Sequence, residues 1–316
     1  MPLEEEFKER IAAAADARFI PVSARQEDVI PHIADAEGVL VSNMLKADAA
    51  LFDVAPKLRV LSGVGVGYDN ADVEEATSRG IAICNTPGVL SGAVADLTIA
   101  SIIMLLRRLL AHVDYVRSGA WSRREPGPPL SHDVTGKVLG IVGYGRIGRE
   151  VARRAQALGM ETVFHDVFTE APEGAPLSAY LPLDELLQRS DVVSIHVDLN
   201  PTTRHMFSAE QFKLMRPDAY LINTSRGPVV DQAALTEALK AGELAGAALD
   251  VFEVEPVPED DEIYRLPNVI PFNHMATATE ETRKAMRGLA VDNMLAVLRG
   301  EMPPAIVNPE VLALAR

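Results

Sequence analysis

Three stretches carry the side chains best suited to proton exchange and anion binding: LINTSRGPVVD (221–231), ALDVFEVEP (248–256) and NVIPFNHMATAT (268–279). Arg226 offers a planar fork that matches a carboxylate with two parallel hydrogen bonds. His274 is of the one type whose charge changes near neutral pH. A carboxylate beside it, here Glu255, orients the ring and favours its protonated form. Each stretch reads as a strand end, and in an open parallel sheet ligands bind at the carboxyl ends of strands. Arg226, Glu255 and His274 are therefore expected to converge on one site. An anion clamp with an acid/base pair beside a nicotinamide describes reversible hydride transfer on a 2-oxo or 2-hydroxy acid.

A second constellation stands upstream, in VLGIVGYGRIGREVARRAQALG (138–159). Gly143, Gly145 and Gly148 form G-x-G-x-x-G after an apolar run and before a helical pattern with Ile147, Val151, Ala155 and Leu158 inward and Gly159 as its stop. Such a turn either holds the pyrophosphate of a dinucleotide at a helix N-terminus or is a tight strand-to-helix corner. About twenty residues on, the strand TVFHD ends in Asp166, where a carboxylate accepts hydrogen bonds from a ribose 2′-hydroxyl and repels a 2′-phosphate. That favours NAD over NADP. The plainer role for Asp166 is a helix or turn cap.

Elements that position these residues are legible in the hydrophobic pattern. Strands are expected at 18–23, 38–43, 58–63 and 80–84, with helices between, beginning with EEEFKERIAAAADA. A long helix is expected over roughly 92–117, with Trp121 as a packing anchor where it ends, followed by a Pro- and charge-rich loop at 122–133. Six more strands are expected at 138–143, 161–166, 191–197, 219–224, 246–251 and 268–272, then a last helix over 279–299. Strands separated by helices argue for parallel βαβ units, and six of them are the inventory of a doubly wound dinucleotide fold. The expected class is α/β: two doubly wound parallel-sheet domains, a Rossmann NAD domain (99–285) inserted in a flavodoxin-like substrate domain (1–98 and 286–316). The ligand is expected in the cleft between them.

The chain has 316 residues, a net charge of −15 and a single cysteine, Cys84. So negative a chain is repelled by nucleic acid and anionic lipid, so neither is expected as a partner. The acidic N-terminus has no secretory pattern, and the run from Ile99 to Leu106 is short of the roughly 18–20 apolar residues that span a bilayer. A cytoplasmic protein is expected, with no intramolecular disulfide and no metal site of His/Asp/Glu or Cys spacing. His32, His112, His132 and His205 read as surface or packing residues, and His196 as a strand-end residue near the core.

Over most of its length the chain resembles the D-isomer-specific 2-hydroxyacid dehydrogenase family. The resemblance rests on SGVGVGYDNAD (62–72), NTPGVLSGAVADLT (85–98), GKVLGIVGYGRIG (136–148), MRPDAYLINTSRGPVVDQAAL (215–235), ALDVFEVEP and the His274 segment. It implies Arg226, Glu255 and His274 as the catalytic set. It implies backbone N–H groups of Val66 and Gly67 on the substrate carboxylate, and Thr98, Arg146, Ile147, Asp166, Thr224 and Asp250 on NAD, with Asp250 near the nicotinamide amide. Without the resemblance, Gly63, Gly65 and Gly67 read equally as a turn and Asp250 as a loop cap. A homodimer is implied, with 98–113 as a candidate contact that a buried helix within the domain explains equally well.

The chain departs from the family pattern at Asn273, usually Pro; at Ala276 and Thr277, usually Gly-Ser; and at Asp198, usually Pro. An acid beside the His argues against formate dehydrogenases. The lack of Lys in GVGVGYD argues against phosphite dehydrogenases. Glyoxylate and hydroxypyruvate are the expected substrates, with lactate-like acids, bulkier 2-oxo acids and phosphoglycerate by a short form also in play. The competing function is an NAD(H)-sensing, corepressor-like interaction protein of the same fold.

Overall fold

A computed structural model describes residues 3–20, 26–41, 45–170, 174–176 and 178–314. The chain divides into two compact units, Met1–Leu90 with Ala278–Arg316, and Ser91–Thr277. Among the described residues no helix is long and apolar enough to cross a membrane.

The first unit opens with helix α1 (Glu5–Ala14) and a short α2 (Gln26–Val29), then alternates β1 (Gly38–Val41), α3 (Ala49–Val54), β2 (Val60–Gly63), α4 (Val73–Ser78) and β3 (Ala82–Cys84). The strands pair in parallel in the order β1-β2-β3. Alternate side chains point to opposite faces of a strand. Leu61 and Ile83 accordingly join a core with Leu51 and Phe52, while Val60, Ala82 and Cys84 join another with Phe7 and Ile11. Asp48 and Asp72 cap α3 and α4 by accepting the amides of Leu51 and Glu75. Of the strand expected at 18–23, residues 18–20 have no strand and 21–23 lie outside the described residues. Residues 42–43 of the next expected strand also lie outside them.

In the second unit, the helix expected over 92–117 is two helices, α5 (Ser91–Leu106) and α6 (Leu109–Arg117). Arg108 between them takes a left-handed φ of 49°. The Leu106 carbonyl, which a continuous helix would give to its own next turn, instead accepts the His132 amide at 2.9 Å. Trp121 is 65% exposed and anchors no core, contrary to expectation.

Then follow β4 (Val138–Val142), α7 (Arg146–Ala157), β5 (Glu161–His165), β6 (Ala179–Tyr180), α8 (Leu183–Arg189), β7 (Val192–Ile195), α9 (Ala209–Leu214), β8 (Tyr220–Asn223), α10 (Gln232–Ala241), β9 (Gly246–Leu249) and β10 (Val269–Pro271). All pair in parallel, in the order β10-β9-β8-β7-β4-β5-β6. The two-residue β6 is a strand beyond the six expected. The chain order runs outward from β4 in one direction and returns at β7 beside it. That reversal makes the switch point where doubly wound folds bind ligands. Both faces are covered, Leu139 and Ile141 packing in one core and Val142, Val193 and Ile195 in the other. Leu158, expected inward on α7, caps that helix and is exposed. Two helices complete the first unit, α11 (Glu280–Leu298) and α12 (Val311–Leu314). The Ala290 carbonyl of α11 accepts Ser62 Oγ of β2 at 2.8 Å.

Candidate active site

The glycine turn lies between β4 and α7. Gly143 has φ 95°, and a Cβ there would stand 2.6 Å from the His196 carbonyl. A Cβ on Gly148 would stand 2.1 Å from the carbonyl oxygen of Gly143. The protein's own packing therefore requires these two glycines. Gly145 is different: it is exposed, and an added Cβ would meet no heavy atom within 4 Å. Its missing side chain leaves open space beside the N-terminal N–H groups of α7, which begins at Arg146. That is the arrangement a dinucleotide pyrophosphate fits. Arg146 is exposed and Ile147 half-buried.

Asp166 follows β5, half-buried beside the same turn. Its Oδ2 accepts the Tyr144 amide at 2.5 Å and its Oδ1 the Phe168 amide at 3.3 Å. Asp166 thus caps the turn while its carboxylate stays partly open to solvent, and the two roles read from the sequence are compatible. On α5, buried Thr98 donates to the Val94 carbonyl at 2.9 Å, and its hydroxyl lies 3.2 Å from that of Thr224 after β8.

The three candidate catalytic side chains come from loops following β8, β9 and β10, which are neighbours in the sheet. After β8, buried Asn223 staples the loop. Its Oδ1 accepts the Ser225 amide at 3.0 Å and hydroxyl at 2.8 Å, and its Nδ2 donates to the Arg226 carbonyl at 3.0 Å. A Cβ on Gly227 would sit 1.8 Å from the Phe252 carbonyl oxygen, so only glycine lets the Arg226 loop seat against the loop after β9.

In that second loop, Glu255 Oε1 accepts the Phe252 amide at 2.9 Å and Oε2 lies 2.7 Å from His274 Nδ1. The His274 and Glu255 side chains are 48% and 36% exposed, open enough to meet a substrate. Burial opposes ionisation of Glu255. The hydrogen bonds from His274 and the Phe252 amide, with the charges of His274 and Arg226, outweigh it and hold the carboxyl below its usual range. The Arg226 guanidinium, whose charge is the last of these contributions, donates through Nη1 to the Ser225 carbonyl at 2.9 Å.

His274 takes a left-handed φ of 57°, and its amide donates to the Asp250 carbonyl at 2.8 Å. Asp250 is 1% exposed, and its carboxylate accepts the amides of Met275 at 2.7 Å and Ala276 at 3.0 Å. Burial pushes its carboxyl up, against those two hydrogen bonds. Asp250 therefore caps the loop that carries His274. The atypical Asn273 is exposed and Ala276 is buried. The carbonyl of the atypical Asp198 accepts Thr203 Oγ1 at 2.6 Å.

In the first unit, Val66 and Gly67 lie in the bend after β2, half-buried. The Val66 carbonyl accepts Asn85 Nδ2 at 2.8 Å and the Gly65 carbonyl accepts the Thr86 amide at 2.7 Å. His205, read from the sequence as a surface or packing residue, is exposed and pairs with Glu253, two residues before Glu255.

Residues 99–276 match the family model described as D-isomer specific 2-hydroxyacid dehydrogenase, NAD binding domain. The chain belongs to the D-isomer specific 2-hydroxyacid dehydrogenase family. This dehydrogenase is 46% identical to a glyoxylate reductase of Korarchaeum cryptofilum over 286 residues, covering 90% of this chain and 86% of that one. It is 40% identical to a glyoxylate reductase of Pyrococcus furiosus, covering 99% and 93%. Among solved structures, a glyoxylate reductase from Paecilomyes thermophila superposes with a TM-score of 0.87 at 33% identity, over 96% of this chain and 95% of that one. An NADPH-dependent glyoxylate/hydroxypyruvate reductase from Sinorhizobium meliloti, in complex with NADP and malonate, gives 0.80 at 37% identity, over 88% and 86%. This dehydrogenase is an oxidoreductase with the family's NAD-binding Rossmann domain.

Proposed function

We propose that this dehydrogenase interconverts glyoxylate or hydroxypyruvate and the corresponding 2-hydroxy acid (the D isomer where C2 is chiral), with NAD(H). The observation that carries the reading is the 2.7 Å pairing of His274 with Glu255, whose carboxyl the charge of Arg226 also helps to lower. The names of the similar glyoxylate reductases support the substrate class.

A bound nicotinamide supplies or accepts the hydride at C2 of the substrate. His274, with Nδ1 committed to Glu255, presents Nε2 to the substrate oxygen. In the reducing direction it gives its proton to the developing alkoxide. Glu255 stabilises the imidazolium and sets the plane of the ring. Arg226 binds carboxylate and carbonyl oxygens in its fork and offsets the charge that builds there. The amides of Val66 and Gly67 bind the substrate carboxylate. Gly143, Gly145, Arg146, Ile147 and Gly148 would hold the pyrophosphate, Asp166 the ribose hydroxyls, and Thr98, Thr224 and the Asp250 loop the nicotinamide side.

The reading includes a homodimer. On α6, the apolar side chains of Leu109, Leu110, Val113 and Val116 are exposed along one helical face, and a second copy of the chain would cover them.

The test mixes the protein with NADH and a panel of 2-oxo acids and follows loss of the nicotinamide absorbance. Consumption with glyoxylate or hydroxypyruvate at the highest kcat/KM is expected. NADH binding without consumption across the panel would replace this reading with that of an NAD(H)-sensing interaction protein.

A further inference from the structure

His205 and Glu253 form a hydrogen-bonded pair that the proposed mechanism does not use. His205 lies in the turn after β7 with a left-handed φ of 51°. Its amide donates to the Pro228 carbonyl at 2.8 Å, two residues beyond Arg226. Its Nε2 lies 2.5 Å from Glu253 Oε1, two residues before Glu255. One residue thus grips the Arg226 segment by its main chain and the Glu255 segment by its side chain.

Neighbouring bonds lock both ends. The Phe207 amide donates to Val229 at 3.1 Å and the Asp231 amide to Phe207 at 2.9 Å, pinning the turn along the segment beyond Arg226. Glu253 donates its amide to Gln232 Oε1 at 3.0 Å and accepts the Gln232 amide on Oε2 at 3.3 Å. Gln232 Nε2 in turn donates to Asp261 Oδ2 at 2.6 Å. The His205 and Glu253 side chains remain 41% and 31% exposed. Side-chain pairs as open as this contribute little to stability, even where both partners carry charge. Its value lies in geometry instead, because a displacement of about 1 Å at a catalytic group can cost up to roughly a hundred-fold in rate.

We infer that His205 and Glu253 are a positioning pair that sets the spacing between the anion clamp of Arg226 and the acid/base pair of Glu255 and His274. The inference rests on the roles proposed for those three residues.

The test compares His205→Ala, His205→Gln, Glu253→Gln and the double variant His205→Ala/Glu253→Gln with the parent, as full-length chains. It reads kcat and KM with glyoxylate, oxamate binding to the NADH-loaded protein, NADH affinity by fluorescence, and the thermal midpoint. For His205→Ala we expect kcat and oxamate affinity to fall about ten-fold, with NADH affinity within about two-fold and the midpoint little changed. His205→Gln, which keeps a donor toward Glu253, should recover most of the loss. The double variant should be no worse than its worse single variant, since both remove one link. Parent-like kcat in His205→Ala and Glu253→Gln overturns the inference while leaving the proposed function standing. So do additive losses, or a failed rescue accompanied by a fallen midpoint. A parent protein that neither turns over 2-oxo acids nor binds oxamate overturns both.

Discussion

The imidazole of His274 and the carboxylate of Glu255 meet at 2.7 Å across two loops that leave neighbouring strands, and the second Glu255 oxygen is held by the Phe252 amide. The carboxyl is held below its usual range, so its stabilising contribution is present above the ordinary Glu pKa and lost as pH falls through the lowered value. Glu255→Gln should remove that acid-side loss, seen as a flatter thermal midpoint against pH below about 4.3, the ordinary Glu value. It should also lower kcat/KM by roughly ten- to a hundred-fold, since the imidazolium loses its partner.

His274→Asn should lower kcat by about 10²–10⁴-fold, the usual contribution of a positioned acid/base group. NADH affinity, measured by fluorescence titration, should stay close to that of the parent. Near-normal turnover would show that another group donates the proton.

Asp250 has the opposite sign. Its carboxyl is raised by burial, so the contribution linked to its titration is present below the ordinary Asp pKa and fades as pH rises through the raised value. Asp250→Asn cannot accept both the Met275 and Ala276 amides. Leaving one buried amide unpaired costs about 1–3 kcal/mol, measured by denaturant unfolding. Turnover should fall as well, because the loop that carries His274 loosens. Full activity at full stability would argue against its capping role.

Gly227→Ala places a methyl group 1.8 Å from the Phe252 carbonyl oxygen. No side-chain rearrangement relieves a clash with backbone, so the Arg226 loop must lift. Destabilisation of about 1–3 kcal/mol or more is expected, with KM for the 2-oxo acid raised over the parent. An unchanged KM would show that Arg226 does not bind substrate from this loop.

Asp166→Ser should narrow the preference for NADH over NADPH, because the charge that repels a 2′-phosphate is gone. The ratio of the two dissociation constants measures it. The turn itself should loosen too, since the Tyr144 amide loses its carboxylate acceptor.

Much of this was legible before any coordinates. Strands β4, β5, β7, β8, β9 and β10 lie inside the apolar runs expected to form them, because a parallel strand buried on both faces must be continuously apolar. The helix break at Arg108 was not legible: TIASIIMLLRRLLAHV has neither Gly nor Pro, and the break depends on a hydrogen bond to His132, a residue distant in sequence. Nor was the pairing of His205 with Glu253, which are separated by 48 positions. Asp250 shows the remaining difficulty. Its residue type suits a cofactor contact or a loop cap equally, and only the amides aimed at it reveal the cap.

Local chemistry is written in residue type and spacing, so the sequence alone determined the glycine turn that opens α7 and the α/β class, and it singled out Arg226, Glu255 and His274 as candidates. Distances between loops are not local. They follow from strand order, from a backbone approach that Gly227 alone allows, and from side chains that reach across loops. Only the tertiary structure decided that Glu255 faces Nδ1 of His274, that Asp250 holds the next two amides, and that His205 ties two of the three loops together.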